Sequence, residues 1–158
     1  MQENSYIQVL IQSLHQKVEA LDSIIEKNQE QYEILSAEEA DMDAFEKNID
    51  EKSQYIDKIV FLDDGFEEIY TRVKEELDGN RAAYTEEIQK MKDLISMITE
   101  RSMKIQVQEQ RNKELAGMQF SKARKKIRQV KAGNKAATQY YNMQQMDAIP
   151  PQFLDKKK

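Results

Sequence analysis

This chain of 158 residues has no cysteine and no tryptophan, and it has one histidine, two prolines and four glycines. Without cysteine there is no disulfide and no thiolate ligand, and one histidine cannot supply the clustered ligands of a zinc site. The sequence therefore predicts no metal site and no cofactor. Few prolines and glycines indicate few turns, and a charged fraction of 34% indicates extensive exposed helix surface. The composition favours an all-α fold.

Long apolar runs are also missing. No stretch of about 18 consecutive apolar residues occurs, so no segment is predicted to span a membrane. The N-terminal segment, MQENSYIQVL, has no basic region followed by an apolar core, so no signal peptide is predicted. We expect a soluble, cytoplasmic protein that does not insert into a membrane.

Catalytic motifs are absent from the sequence as well. There is no glycine-rich phosphate loop, no paired-histidine metal motif and no serine elbow. Carboxylates are abundant, but they occur on predicted exposed helix faces where no acid/base pair stands out. The sequence therefore predicts no catalytic residue and a protein that is not an enzyme.

Charge is distributed unevenly along the chain. Residues 1–80 carry 21 acidic and 7 basic side chains, whereas residues 81–158 carry 8 acidic and 17 basic ones. An acidic half followed by a basic half is self-complementary if the chain folds back, or it steers a charged partner. Both interpretations remain open from the sequence.

The N-terminal segment shows heptad spacing, with steps of four and three residues between its apolar positions. Such spacing places the side chains on one narrow face of a helix, as in a coiled coil or a slender bundle. The face comprises Ile7, Ile11, Leu14, Val18, Leu21, Ile25, Asn28, Tyr32 and Leu35. A first helix over residues 3–36 is predicted.

Similar patterns predict a second helix over 43–78 and a third over 81–131. Ser36 and Asp43 each precede a glutamate by three residues, which is a helix start signal. Gly79 suits a left-handed helix end and Asn80 the N-cap of the next helix. The short connection makes the second and third helices antiparallel neighbours. We predict an elongated antiparallel bundle or coiled coil of three long helices over residues 1–132, followed by a flexible tail, 133–158.

The end of the third helix and the tail carry apolar side chains with no assigned partner in the pattern. Such residues, together with the adaptability of methionine, predict a surface that binds another polypeptide. The candidate binding residues are Phe120, Ile127, Val130, Tyr140, Tyr141, Met143 and Met146.

Basic residues are concentrated beside this stripe, and they raise the possibility of phosphate binding. No nucleic-acid motif surrounds them and the whole chain is acidic, so nucleic acid is the least favoured of the partners considered. The basic patch comprises Lys122, Arg124, Lys125, Lys126, Arg128 and Lys131.

Several short runs resemble the FlgN-type flagellar export chaperones in their clostridial form. They follow the heptad-rich first helix and comprise MDAFE at 42–46, FLDDGFE at 61–67, EQRN at 109–112 and FLDKKK at 153–158. The resemblance implies a cytoplasmic chaperone that binds hook-associated flagellar proteins, prevents their premature assembly and delivers them to the flagellar type III export gate.

The resemblance also implies where such a chaperone would hold its cargo. The family's cargo contacts lie in its C-terminal region, which corresponds here to Phe120, Ile127, Val130 and the later methionines and tyrosines. Tyr140 and Tyr141 are candidates for docking to the export gate. A second hypothesis is a structural coiled-coil adaptor that oligomerises through the 7–35 face, and a third is a nucleic-acid-binding protein. A homodimer is compatible with the first two hypotheses.

Overall fold

The structure, a computed structural model, describes the backbone of residues 2–144 and the side chains of residues 5–143. Within this range the chain forms three helices and no strand: α1 (Gln2–Leu35), α2 (Met42–Gly79) and α3 (Thr85–Gln144). The predicted all-α fold is confirmed. The last fourteen residues of the predicted tail, 145–158, lie outside the described range.

The helix α1 ends where its sequence pattern ends. The Ser36 amide and hydroxyl both donate to the Tyr32 carbonyl, at 2.9 and 2.6 Å, and these bonds satisfy a carbonyl of the last turn. The next helix begins at Met42, one residue before the predicted capping residue Asp43. Asp41, and not Asp43, is the N-cap, since its carboxylate accepts a hydrogen bond from the Ala44 amide at 3.1 Å.

The connection between α2 and α3 differs from the prediction at both ends. Gly79 is the last residue of α2, and no described glycine has a positive φ, so the predicted left-handed helix end is wrong. Asn80 is the C-cap of α2, with its amide donating to the Leu77 carbonyl at 3.3 Å. Residues 81–84 form a turn, and α3 therefore begins at Thr85 instead of residue 81.

The helix α3 continues to Gln144, past the predicted end at residue 131. Gly133 lies in the interior of this helix, where a glycine costs only about 1 kcal/mol relative to alanine. By its contacts the chain divides into two units, residues 1–116 and residues 117–158.

Hydrogen bonds fix the helix directions in the first unit. Ser13 of α1 donates to the Leu62 carbonyl of α2 (3.4 Å) and Gln31 of α1 donates to Asn48 of α2 (3.0 Å), so these two helices are antiparallel. The α1 residues Asp22 and Asn28 bond with Arg101 and Asn112 of α3, which makes α1 and α3 parallel. The unit is an up-down-up bundle of three helices.

One stretch of this bundle has an apolar core. It contains the first half of the α1 heptad face, packed against α2 and α3. Its buried members are Ile7, Leu10, Ile11, Leu14, Val18, Val73, Leu77, Met91 and Leu94. The face that the adaptor hypothesis assigns to oligomerisation is thus covered within the chain's own bundle, and this removes the surface on which that hypothesis depends.

Candidate functional site

Within the second unit, an apolar stripe follows α3 with alternating steps of three and four residues. Positions with this spacing share one face of a helix, as the a and d positions of a coiled coil do. We call this stripe the C-terminal seam. It comprises Phe120, Ala123, Ile127, Val130, Asn134, Ala137 and Tyr141.

The large side chains of the C-terminal seam are exposed. The exposed fractions are 42% for Phe120, 56% for Ile127 and 55% for Val130, and Tyr141 is also exposed. Contiguous exposed apolar side chains of this kind mark a surface that binds a partner. Over about 21 residues at 1.5 Å rise, the seam is about 30 Å long, which is enough to accommodate several turns of a partner helix.

The structure gives different positions to the other predicted binding residues. Tyr140 is exposed and borders the C-terminal seam, whereas Met143 is exposed on another side of the helix. Met146 lies outside the described residues. The C-terminal seam therefore brings together Phe120, Ile127, Val130 and Tyr141.

The sequence pattern missed the full extent of the C-terminal seam. The predicted third helix ends at residue 131, although the same spacing continues through Asn134 and Ala137 to Tyr141. These two positions carry a polar and a small side chain, so hydrophobicity alone did not reveal them. Heptad counting from Phe120 onward would have found the continuation.

The residues around the C-terminal seam are strongly basic. Between Glu114 and Asp147 the sequence contains seven basic side chains and no acidic one. The predicted basic-patch residues are all exposed on α3, and so is Lys135. The patch residues are Lys122, Arg124, Lys125, Lys126, Arg128 and Lys131. In heptad terms Arg124 and Lys131 border one edge of the C-terminal seam and Lys126 borders the other. The remaining cations occupy positions farther from it.

The first unit contains a second feature, a set of buried polar side chains that we call the polar layer. Its members come from all three helices, and those of α1 lie at the opposite end of that helix from the apolar core. They are Asn28, Gln31, Asn48, Lys52, Gln108 and Asn112.

Asn28 is at the centre of the polar layer. Its amide donates to Gln108 at 3.3 Å, and its side-chain oxygen accepts from the Lys52 ammonium at 3.1 Å. Lys52 also donates to Glu109 at 2.7 Å, which compensates its charge. The Asn112 side-chain amide donates to the backbone carbonyl of Asn28 at 2.9 Å. These bonds satisfy polar groups that would otherwise be costly to bury.

The sequence had indicated part of the polar layer. Asn28 is the polar member of the α1 heptad face, and Lys52 and Asn112 likewise stand at heptad spacing from apolar residues of α2 and α3. Their mutual contact could not be predicted, because it depends on the relative register of the three helices. A cation–π contact lies in the same unit, where the Arg111 guanidinium is 3.8 Å from the centre of the Tyr32 ring.

An ion pair at the edge of the polar layer links α1 to α2. Lys27 donates to Glu51 at 2.8 Å and lies 3.5 Å from Glu30. The hydrogen bond lowers the pKa of the Glu51 carboxyl below its ordinary value. The same bond, with a further contribution from Glu30, raises the pKa of the Lys27 ammonium.

The first unit also has a groove between α1 and α2. It has a volume of about 290 Å³, and Phe61 at its rim is 76% exposed. Leu10 and Leu62 lie in its floor, and Gly65 is part of its wall. The lining is mainly apolar and brings no pair of titratable side chains together, so we assign no chemistry to it.

Two further findings concern other classes of site. Among the described residues, no group of three or more histidine, cysteine, aspartate or glutamate side chains is arranged to hold a metal ion. Over the same residues, no helix combines the length and apolar character needed to cross a membrane.

Comparison with known proteins gives one family match. No curated protein and no solved structure matches the chain. The sequence profile of one family, described as FlgN protein, matches residues 1–148 and so covers both units up to the end of α3. The chain therefore belongs to the FlgN family, a family of flagellar export chaperones.

Proposed function

We propose that this protein is a flagellar type III secretion chaperone that binds hook-associated proteins in the cytoplasm. In this proposal it prevents their premature assembly and delivers them to the export gate. Membership of the FlgN family supports the general role. The observation that supports the binding site is the exposed C-terminal seam.

The C-terminal seam suits a helical cargo segment. Its a and d spacing accepts the side chains of a second helix by knobs-into-holes packing, and its small residues, Ala123 and Ala137, allow close approach. A subunit that polymerises through amphipathic helices would expose such segments before assembly. Covering them requires only that the chaperone complex be more stable than premature self-association.

Release requires no chemical step in this proposal. Cargo leaves when the export gate offers contacts that outweigh those of the C-terminal seam. Tyr140 and Tyr141 are the candidates for the gate contact. Tyr141 belongs to the C-terminal seam and Tyr140 does not, so Tyr140 is better placed to remain accessible while cargo is bound.

The first experiment tests the C-terminal seam as the cargo site. The double variant Ile127→Asp/Val130→Asp places two carboxylates in the apolar stripe, and we expect it to abolish co-purification of hook-associated proteins from the source organism. Deletion of residues 132–158, which removes the last part of the C-terminal seam, is expected to have the same effect. Circular dichroism is expected to show that the full-length double variant remains helical, since both side chains are exposed.

A matched control places the same two charges on another side of the same helix. Ser121→Asp/Gln129→Asp changes exposed residues outside the C-terminal seam and should retain cargo. Cargo binding that is unchanged in the seam variant and in the deletion would rule out the proposed site.

A further inference from the structure

The residues that border the C-terminal seam define a charge pattern. In a coiled coil, the e and g positions lie beside the apolar seam and determine which helix pairs with which. Counting Phe120 as position a, the e positions are occupied by Arg124 and Lys131, and the first g position by Lys126. All three side chains are exposed cations.

This pattern opposes pairing of the C-terminal seam with a copy of itself. Two such helices would place like charges beside each other along both edges, which is destabilising. It favours a partner whose edges carry carboxylates opposite Arg124 and Lys131, because the sequence from 115 to 146 contains no acidic side chain.

The shape of the apolar surface separates a helix partner from a membrane surface. A membrane-binding helix needs a broad apolar face, whereas the C-terminal seam is a narrow stripe of a and d positions. Lys122, Lys125 and Arg128 occupy much of the remaining circumference of α3. Nucleic acid would use the cations but would leave the apolar stripe without a role.

We propose that the C-terminal seam selects amphipathic helices that are acidic along their edges, with Arg124 and Lys131 as the specificity-determining residues. The partner helix has an apolar heptad seam flanked by aspartate or glutamate. This inference rests on the proposed function, since it specifies the chemistry of the cargo segment at the same surface. Exposed ion pairs supply the discrimination, and apolar contacts supply most of the affinity.

The experiment uses the full chain and two synthetic helical peptides as probes. Both peptides have isoleucine at a and leucine at d over about four heptads, and they differ only in carrying glutamate or lysine at e and g. Fluorescence anisotropy measures each affinity at low and at physiological salt. We expect the glutamate peptide to bind about tenfold more tightly than the lysine peptide at low salt, with a smaller difference as salt screens the charges.

Charge reversal then tests the position of the cations. We expect Arg124→Glu/Lys131→Glu to invert the preference, so that the lysine peptide binds more tightly than the glutamate peptide. The matched control, Lys122→Glu/Lys125→Glu, makes the same change in net charge on another side of the helix and should keep the original preference. Inversion in the first variant alone would support pairing along the edge of the C-terminal seam.

Three outcomes would overturn the inference. They are equal binding of both peptides, absence of binding by either, and equal effects of the two charge-reversal variants. A single-stranded DNA probe that competes with the glutamate peptide, and is weakened equally by both variants, would indicate a general polyanion surface instead.

These outcomes are distinguishable from failure of the proposed function. If hook-associated proteins co-purify with the wild-type chain but the chain binds the two peptides with equal affinity, the inference alone is wrong. If the peptides show the expected inversion but no hook-associated protein binds, the selectivity is correct and the assigned cargo is wrong.

Discussion

At the scale of single residues, the polar layer shows how a helix bundle accommodates polar side chains in its interior. Asn28 is fully buried, yet both polar groups of its side chain have partners, Gln108 and Lys52. Those partners come from different helices, so their bonds form together only when the helices are in one register. Buried polar residues at seam positions are known to specify register at some cost in stability.

Removing the side chain of Asn28 tests the polar layer. We expect Asn28→Ala to lower the free energy of unfolding by about 2 kcal/mol, because it removes the donor to the Gln108 side-chain oxygen and one of the two acceptors of the Lys52 ammonium, and creates a small cavity. Urea unfolding followed by circular dichroism measures the change. The exposed neighbour serves as a control, and Gln29→Ala should change stability by less than about 0.5 kcal/mol. Equal stability of the two variants would contradict this account of the layer.

The pair Lys27–Glu51 predicts a pH dependence. The pKa of Glu51 is lower in the folded chain than in the unfolded chain, so its contribution to stability is present above the unfolded pKa of about 4.3 and is lost as pH falls through the folded pKa. The pKa of Lys27 is raised, so its contribution is complete below its unfolded pKa of about 10.4 and is lost as pH rises through the folded value.

We therefore expect Glu51→Gln to be less stable than the wild type at neutral pH, by a small amount because the pair is partly exposed to solvent. The difference should shrink as pH falls through the lowered pKa of the folded carboxyl, where the wild-type Glu51 becomes protonated. Thermal unfolding across this range measures it, with the exposed neighbour changed in Asp50→Asn for comparison. A stability difference that stays constant down to the lowest pH would show that the ion pair is not its cause.

At the scale of helices, the sequence predicted each element but not all of its ends. Heptad spacing predicted three helices, and the first helix ends at Leu35, one residue before the end predicted at residue 36. The capping residues were assigned less well, since Asp41 and Asp43 are both suitable caps and only the path of the chain decides between them. Gly79 did not adopt the left-handed conformation because Asn80 closes the helix instead.

The sequence also predicted much of the candidate site, and its omissions have a physical explanation. Phe120, Ile127 and Val130 were recognised because large apolar side chains recur at heptad spacing. The sequence did not predict the continuation to Tyr141, because Asn134 and Ala137 interrupt the run of large apolar side chains. A helix does not need a large apolar side chain at every seam position, and a single glycine at 133 is insufficient to end it.

A glycine within α2 provides a test at the scale of the element. Gly65 lies in the helix interior, and no atom outside its own helix backbone lies within 4 Å of the place that a Cβ would occupy. We expect Gly65→Ala to raise the free energy of unfolding by about 0.5–1 kcal/mol through its helix propensity. Thermal unfolding of the full chain measures this change.

Gly79 provides the comparison for that substitution. Like Gly65, it is free of close contacts at the Cβ position, but it is the last residue of α2. Because helix ends fray, Gly79→Ala should change stability less than Gly65→Ala. If Gly65→Ala were less stable than the wild type, the groove that Gly65 lines would have no room for a side chain at this position.

At the scale of the whole molecule, the two units differ in how they use their apolar residues. In residues 1–116 the heptad face of α1 is buried by α2 and α3, and a polar layer completes the interior. In residues 117–144 a comparable seam is exposed and surrounded by cations. This contrast leads to the central claim, which is that the first unit folds on its own contacts and the C-terminal seam binds another helix.

Amide hydrogen exchange on the full chain, with and without a purified hook-associated protein, tests that claim most directly. The account predicts that cargo slows exchange along residues 120–141, where backbone amides of an exposed helix open most readily, and leaves residues 7–35 unchanged. Protection confined to α1 and α2, with no change along the C-terminal seam, would contradict it.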